Sequence, residues 1–284
     1  MTDFALSYSG KEASRGEIDF YDVAHAMVGF QRSLALTAHL VQNNEIITQA
    51  PSLKNARIFV SPPREGSWEV VASAIFGAGA SVALAPKDSA AGRMTRRVYD
   101  YVLKNALGKD VDFEQAFGDG VEAQIADGHI TESKLDSLTE KCENAIIEMH
   151  RPIVWSGTAL GARVYINGDK DKRVGPRLTP ETYEHAKRTV ELKTPELFIG
   201  MVSSYNANTY KGRIFIPEEG RPIPFELSDT VRNRAVVKEV TGSLSQNALS
   251  RSNSQGRIGL KAFRRESSSG RLKSLYVIEI QDII

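Results

Sequence analysis

The last third of the chain is dense in short β-strand patterns. From Ile199 to Leu227, apolar and polar residues alternate in runs separated by Gly, Asn and Pro, residues that end strands and form turns. Six strand patterns occur within 90 residues, at Leu197–Ser203, Arg213–Ile216, Ile223–Leu227, Ala235–Thr241, Gly256–Arg265 and Leu272–Gln281. Strands this short and numerous leave exposed edges unless the sheet closes on itself. We therefore predict a small β-barrel over residues 195–284.

Residues 1–194 predict a domain that mixes helices with strands. Phe4–Tyr8 alternates like a half-buried strand, and Arg57–Val60 with Ser67–Ala72 predicts a β-hairpin. Apolar residues at helical spacing predict an amphipathic helix over Asp19–Val41. Further helices are predicted over Ser89–Leu107, from Thr131 to Pro152, and from Thr179 onward. The predicted fold class is therefore α+β, an assembly domain over 1–194 followed by a small barrel over 195–284.

Composition narrows the class of protein. The 284 residues are 41% hydrophobic and 25% charged, which is typical of a globular protein. The single cysteine, Cys142, excludes an internal disulfide and fits a reducing compartment. The N-terminus has no apolar segment behind a basic cluster, so no secretory signal is predicted. We expect a cytoplasmic protein.

Basic residues are concentrated near the C-terminus. Residues 195–284 hold 13 Lys and Arg against 9 Asp and Glu, whereas the whole chain has a formal charge of only +1. The densest segment, 251–273, contains a single acidic residue, Glu266, and these basic residues: Arg251, Arg257, Lys261, Arg264, Arg265, Arg271 and Lys273. Such a segment predicts contacts with the phosphates of single-stranded nucleic acid or of a duplex backbone. The alternative is a solvated strand face with a mobile loop.

An uncharged run, Val70–Ala85, is rich in Ala, Gly and Ser. A membrane span needs about 20 apolar residues, so no stable span is predicted. Its start continues the preceding strand, and the rest predicts a tightly packed helix. Small residues allow close backbone approach, which makes Phe76, Gly77 and Gly79 candidates for self-association into a homo-oligomer. A buried core element and membrane insertion remain the alternatives.

The search for catalytic and metal-binding motifs is negative. Gly77-Ala-Gly79 lacks the third glycine of a dinucleotide-binding loop, and neither a phosphate-binding loop nor a G-x-S-x-G nucleophile motif occurs. The five histidines are isolated in the sequence, and Asp119, Glu122, Asp127 and His129 lack the order of a calcium loop. No catalytic residue, metal or cofactor is predicted, although an active site assembled from distant segments stays open.

Part of the barrel resembles cold-shock and related OB-fold proteins. Lys211-Gly-Arg-Ile-Phe-Ile216 is similar to the K-G-F-G-F-I motif of that family, and Ile223-Pro-Phe-Glu226 is similar to its V-F-V-H motif. The resemblance implies that Tyr205, Phe215 and Phe225 stack on bases while Lys211 and Arg213 contact phosphate. Three substitutions depart from the family pattern: Arg213 for an aromatic residue, Pro224 within the strand, and Glu226 for a histidine. An SH3-like barrel has almost the same strand pattern.

The chain as a whole also resembles an uncharacterised bacterial family with an α/β N-terminal domain and a β-barrel C-terminal domain. The resemblance lies in GEIDFYDVAHAMVGFQRSLALTAHL and PPREGSWEVVA. It implies a bacterial, cytoplasmic protein and no particular activity. The leading hypothesis is a non-enzymatic nucleic-acid-binding protein that self-associates through its N-terminal domain. The alternative is an oligomeric scaffold whose barrel docks a protein partner, and an enzyme of unrecognised type and a membrane-active role also stay open.

Overall fold

The computed structural model describes residues 2–49, 53–61, 68–77, 89–109, 130–166, 169–249, 256–267 and 270–282. The helices in this part of the chain are α1 Phe20–Asn43, α2 Ala90–Ala106, α3 Glu132–Glu148, α4 Arg151–Val154, α5 Pro180–Lys187 and α6 Arg234–Leu249. The strands are β1 Thr2–Ser9, β2 Ala56–Ser61, β3 Trp68–Phe76, β4 Gly161–Ile166, β5 Asp169–Leu178, β6 Val190–Asn206, β7 Lys211–Ile216, β8 Arg221–Leu227, β9 Ile258–Glu266 and β10 Leu272–Asp282. The predicted α+β class is confirmed.

The chain divides into two compact units, Met1–Lys187 and Arg188–Ile284. The sequence placed the boundary near residue 195. The division falls earlier because residues 190–194 already belong to β6, where Val190 pairs with Glu266 of β9.

The first unit is built on an antiparallel sheet with the described strand order β2-β3-β1-β4-β5. The central strand is β1, in which Phe4 lies opposite Ala72 of β3 and Ile166 of β4. Phe4 and Ala5, which point to opposite faces, are both fully buried. The prediction of a half-buried strand is therefore wrong at this point, because a central strand in this sheet is covered on both faces. The predicted hairpin is confirmed, since β2 pairs with β3 in antiparallel register.

The helices of the first unit begin where the sequence supplies capping side chains. Asp19 precedes α1 and accepts a hydrogen bond from the Asp22 amide at 2.9 Å. Thr131 accepts one from the Lys134 amide at the start of α3, 3.3 Å away. Gly29 lies where α1 crosses α3, and a Cβ at that position would overlap the carbonyl oxygen of Ala145. The glycine therefore allows the two helices to pack backbone against backbone.

The second unit is a closed barrel with the described strand order β10-β8-β7-β6-β9. Neighbouring strands are antiparallel except β8 and β10, which are parallel and pair only over Phe225–Leu227. Five strands in this order, with a helix between the third and the fourth, form the Greek-key arrangement of the OB fold. The strand order therefore corresponds to the OB-like alternative and not to the SH3-like one.

The helix in the barrel unit, α6, corrects a prediction. The sequence predicted a strand at Ala235–Thr241 because Val236, Val237 and Val240 favour β-structure. The helix forms because it packs Val240 against the barrel core, and because the Ser243 hydroxyl accepts from the Val202 amide at 3.0 Å and donates to the Gly256 carbonyl at 2.6 Å. Tertiary contacts thus override the local preference. Residues 169–178, where the sequence analysis predicted no strand, also form one, β5.

Candidate nucleic-acid interface

Alternation along β7 places three predicted site residues on the outside of the barrel. Ile214 and Ile216 point inward and are buried, whereas Lys211, Arg213 and Phe215 point outward with partial or full exposure. We call the surface formed by these three side chains and their cross-strand neighbours on β6 and β8 the outer face.

The outer face is apolar around Phe215 and charged at its other end. Phe215 lies opposite Met201 of β6 and Pro222 of β8, and all three side chains are partly exposed. Side chains directly opposite each other have Cβ atoms about 5 Å apart, so these three form one continuous apolar strip. Arg213, two residues along β7, donates from Nη2 to the Pro222 carbonyl at 2.9 Å. This bond holds the Arg213 guanidinium beside Pro222, the cross-strand neighbour of Phe215.

Two aromatic residues assigned to base stacking face the barrel core instead, with Phe225 buried and Tyr205 partly exposed beside it. Phe225 is 2% exposed and belongs to the barrel core. The ring of Tyr205 stacks on it, with centroids 6.3 Å apart and planes 12° apart. Burial, followed by the nearby Tyr210, raises the pKa of Tyr205 above its ordinary value. Phe225 contributes to the core rather than to an exposed stacking surface, contrary to the prediction.

The inward position of Tyr205 has a local cause. The register between β6 and β7 shifts between Val202 and Ser204, which reverses the alternation of β6 beyond that point. Tyr205 consequently lies opposite Gly212, where a Cβ would come within 2.6 Å of the Phe225 ring. Only glycine at position 212 leaves room for the two stacked rings.

Glu226, which replaces a histidine of the cold-shock motif, gathers three cations at the charged end of the outer face. Its carboxylate lies 3.7 Å from Lys211 Nζ and 3.6 Å from guanidinium nitrogens of both Arg232 and Arg265. Arg265 also donates to Glu191 at 2.7 Å. These ion pairs are partly exposed and contribute little to stability, but they hold the cations in place.

The basic segment 251–273 is divided among several locations. Lys261 pairs with Glu279 at 3.1 Å. Arg264 faces Leu275 in the register and pairs with Glu219 and Glu266, and Arg271 is only 9% exposed. Of the other predicted phosphate contacts, Arg257 is exposed, Lys273 is half-buried, and Arg251 lies outside the described residues. Alternation and neutralisation by acidic residues thus break up the single patch that the sequence predicted.

Two tyrosines of the same region were missed by the sequence analysis. Tyr276 of β10 lies opposite Glu226, and the Arg265 guanidinium carbon is 4.6 Å from the centroid of its ring. Tyr210 is the last residue of the β6–β7 turn, and the Arg232 guanidinium carbon lies 5.1 Å from its ring centroid. The alternation of Leu275, Tyr276 and Val277 in the sequence was the available signal for Tyr276. Cation–π contact of this kind orients both the ring and the guanidinium.

The predicted self-association residues do not form an exposed cluster among the described residues. Phe76 is partly buried and packs against the core of the first unit. The Gly77 amide donates to the Asn55 carbonyl at 2.9 Å. Three predicted features lie outside the described residues: Gly79, the helix predicted after Gly77, and the acidic stretch 119–129.

Within the described ranges, no group of three or more His, Cys, Asp and Glu side chains is arranged to hold a metal ion. Cys142 is fully buried, and burial raises its pKa to about 12. No helix in the described part of the chain is long and apolar enough to cross a membrane.

A family model described as a domain of unknown function, DUF7946, matches residues 4–176, more than half of the chain. The chain belongs to the DUF7946 family. In this DUF7946 protein a second family model, a family of unknown function named DUF7947, matches residues 194–281, which contain the barrel. No curated protein and no solved structure matches this DUF7946 chain.

Proposed function

We propose that the outer face binds single-stranded nucleic acid, with a base stacked on Phe215 and phosphates contacted by Arg213 and Lys211. The observation that carries the proposal is the position of Phe215. It projects from the second strand of an OB-type barrel, partly exposed, with two basic side chains at alternate positions of the same strand. Aromatic rings beside basic side chains are how OB folds hold single strands.

The spacing along β7 supports this arrangement. Residues two apart on a strand lie about 6.6 Å from each other, which is within the reach of an arginine side chain. A base on Phe215 therefore brings its flanking phosphates near Arg213 and, one step further, near Lys211. The apolar neighbours Met201 and Pro222 exclude water from the edges of the stacked base.

The ion pairs of the outer face set the strength and salt dependence of binding. Lys211 is already paired with Glu226, so a phosphate must compete with a carboxylate for it. If Lys211 and Arg213 each neutralise one phosphate, the slope of log K against log salt should be about −1.4 for a single strand. This slope is much shallower than contacts from all seven basic residues of segment 251–273 would give.

The test measures fluorescence anisotropy of labelled single-stranded DNA, single-stranded RNA and duplex with the full chain at several salt concentrations. Phe215→Leu keeps an apolar side chain without a ring and should weaken binding by about 1–3 kcal/mol, or roughly 5- to 150-fold. Phe215→Tyr keeps the ring and should retain most of the affinity. Equal losses in both variants would contradict stacking.

A matched pair of lysine variants tests the phosphate contact. Lys211→Ala should weaken binding and flatten the salt dependence, whereas Lys238→Ala, an exposed lysine on α6, should leave both unchanged. Absence of binding to all three probes at low salt would overturn the proposal. The alternative, a barrel that docks a protein partner, would then be preferred.

A further inference from the structure

The first unit carries an exposed aromatic surface at the start of α1. Phe20 is 84% exposed, Tyr21 64%, Val28 66% and Trp155 61%. We call these four side chains the aromatic surface. Large apolar side chains scattered singly are normal on a protein, whereas a cluster of aromatic residues marks an interaction site.

Arg151 joins and immobilises part of the aromatic surface. Its guanidinium carbon lies 4.1 Å from the Trp155 ring centroid and 5.2 Å from that of Tyr21. Arg151 Nε in turn donates to Asp22 Oδ1 at 3.0 Å, and Asp22 Oδ2 accepts from the Ser156 amide at 2.8 Å. The two exposed rings are therefore held in place before any partner arrives, which lowers the entropy lost on binding.

An apolar cavity adjoins the aromatic surface. It has a volume of about 410 Å³, and its lining includes the less exposed side chains of Ile18, Val23, Met27 and Trp68. Phe20 and Val28, which lie about two turns apart on α1, also border it. A projecting aromatic side chain and a cavity large enough to receive one thus lie side by side on the same helix.

We infer that the aromatic surface and its cavity form the contact between two copies of this chain related by a two-fold axis. A two-fold contact uses the same patch on both subunits, so each patch must carry both the projecting group and the cavity that receives it. Here Phe20 of each copy would enter the cavity of the other. This inference concerns the first unit and does not depend on nucleic-acid binding by the barrel.

Charge favours a second copy as the partner. A two-fold axis brings identical groups together, so a patch with uncompensated charge would repel itself. The charged groups beside Tyr21 and Trp155 are paired within one subunit: Arg151, whose side chain is 10% exposed, pairs with Asp22, and Glu148 lies 3.4 Å from Arg151 Nη1 and 3.5 Å from His25 Nδ1. The aromatic surface can therefore meet its own copy without like-charge repulsion from that arginine.

The size of the surface also fits a dimer. Given the fractions exposed, the four side chains present about 500 Å² of accessible surface. One side of a standard-size interface covers about 800 Å², of which about 60% is apolar, or roughly 480 Å². One copy thus supplies the apolar part of one side of a stable interface.

The test is sedimentation analysis of the full chain over a concentration series from about 1 to 100 µM. The wild type should dimerise, and Phe20→Glu should raise the dimer dissociation constant at least about 10-fold. Leu249→Glu is the matched control, because Leu249 is 80% exposed and belongs to α6 of the second unit, whereas the aromatic surface belongs to the first. It should leave the dimer intact.

Thermal unfolding of each variant shows whether the fold is retained. Phe20 is almost fully exposed, so its replacement should cost the folded monomer little stability. The Phe20→Glu and Val28→Glu monomers should therefore have similar melting temperatures. If that variant fails to fold, Val28→Glu replaces it and should also dissociate the dimer. A wild type that is monomeric at 100 µM, or a dimer that survives both substitutions, would overturn the inference.

Discussion

Replacing Gly29 with Ala should destabilise the first unit, although alanine is the better helix former. In an exposed helix interior the change stabilises by about 1 kcal/mol. At position 29 the new Cβ would overlap the Ala145 carbonyl oxygen and lie 3.2 Å from the Glu148 side chain. Because the nearest atom belongs to the backbone of α3, the helices must separate, and overpacking of this kind costs typically about 1–3 kcal/mol. The overlap with a backbone atom puts this cost in the upper part of that range, at about 2–3 kcal/mol, so after the gain in helix propensity we expect a net loss of about 1–2 kcal/mol.

Urea unfolding followed by tryptophan fluorescence measures this loss. Both tryptophans, Trp68 and Trp155, lie in the first unit, so the signal reports that unit alone. The midpoint should fall by roughly 0.5–1 M. Gly242→Ala on α6 is the matched control, because a Cβ there meets nothing within 4 Å. It should stabilise the barrel by about 0.5–1 kcal/mol and leave the tryptophan transition unchanged. A raised tryptophan midpoint in Gly29→Ala would refute the reasoning.

Two further predictions concern buried titratable groups of the first unit. Burial lowers the pKa of His150 from 6.5 to about 4, while its ring nitrogens bond the Ile146 carbonyl and the Thr182 hydroxyl. Because the unfolded chain binds the proton more readily, stability should be highest above pH 6.5 and fall by about 3 kcal/mol as the pH drops to 4. Urea midpoints across this range should depend less on pH in His150→Gln, and equal slopes would contradict the assignment. Cys142 is fully buried, with its pKa raised to about 12, so a thiol reagent should label it only as fast as the first unit unfolds; rapid labelling of the native protein would contradict this.

The sequence predicts elements best where one local signal decides. The helix over Asp19–Val41 is confirmed as α1 because a capping aspartate and an apolar stripe agree, and Thr179 with Pro180 likewise marks the start of α5. Predictions fail where the structure of a segment depends on its pairing with a distant part of the chain. Segment 190–196 becomes part of β6 because β9 pairs with it. Local composition contains no record of that pairing.

The candidate site was harder to predict than the fold for the same reason. Phe215 and Phe225 lie ten residues apart on neighbouring strands, and which of them faces the core depends on the register across the β7–β8 turn. The bulge in β6 reverses the direction of Tyr205, which no spacing rule anticipates. Likewise the sequence shows the basic residues of segment 251–273, whereas three acidic residues that pair with them, Glu279, Glu219 and Glu191, lie outside that segment.

The two prolines of β8 protect the barrel against unwanted strand addition. Pro222 and Pro224 lie opposite Phe215 and Arg213 of β7, and neither proline nitrogen can donate to a neighbouring strand. On the other side of β8, β10 pairs with it only from Phe225 onward. At either proline this short seam lacks an amide donor, and the Pro222 carbonyl already accepts a hydrogen bond from Arg213. A foreign strand seeking a template finds half of its partners missing, so the seam is a poor nucleus for cross-β growth.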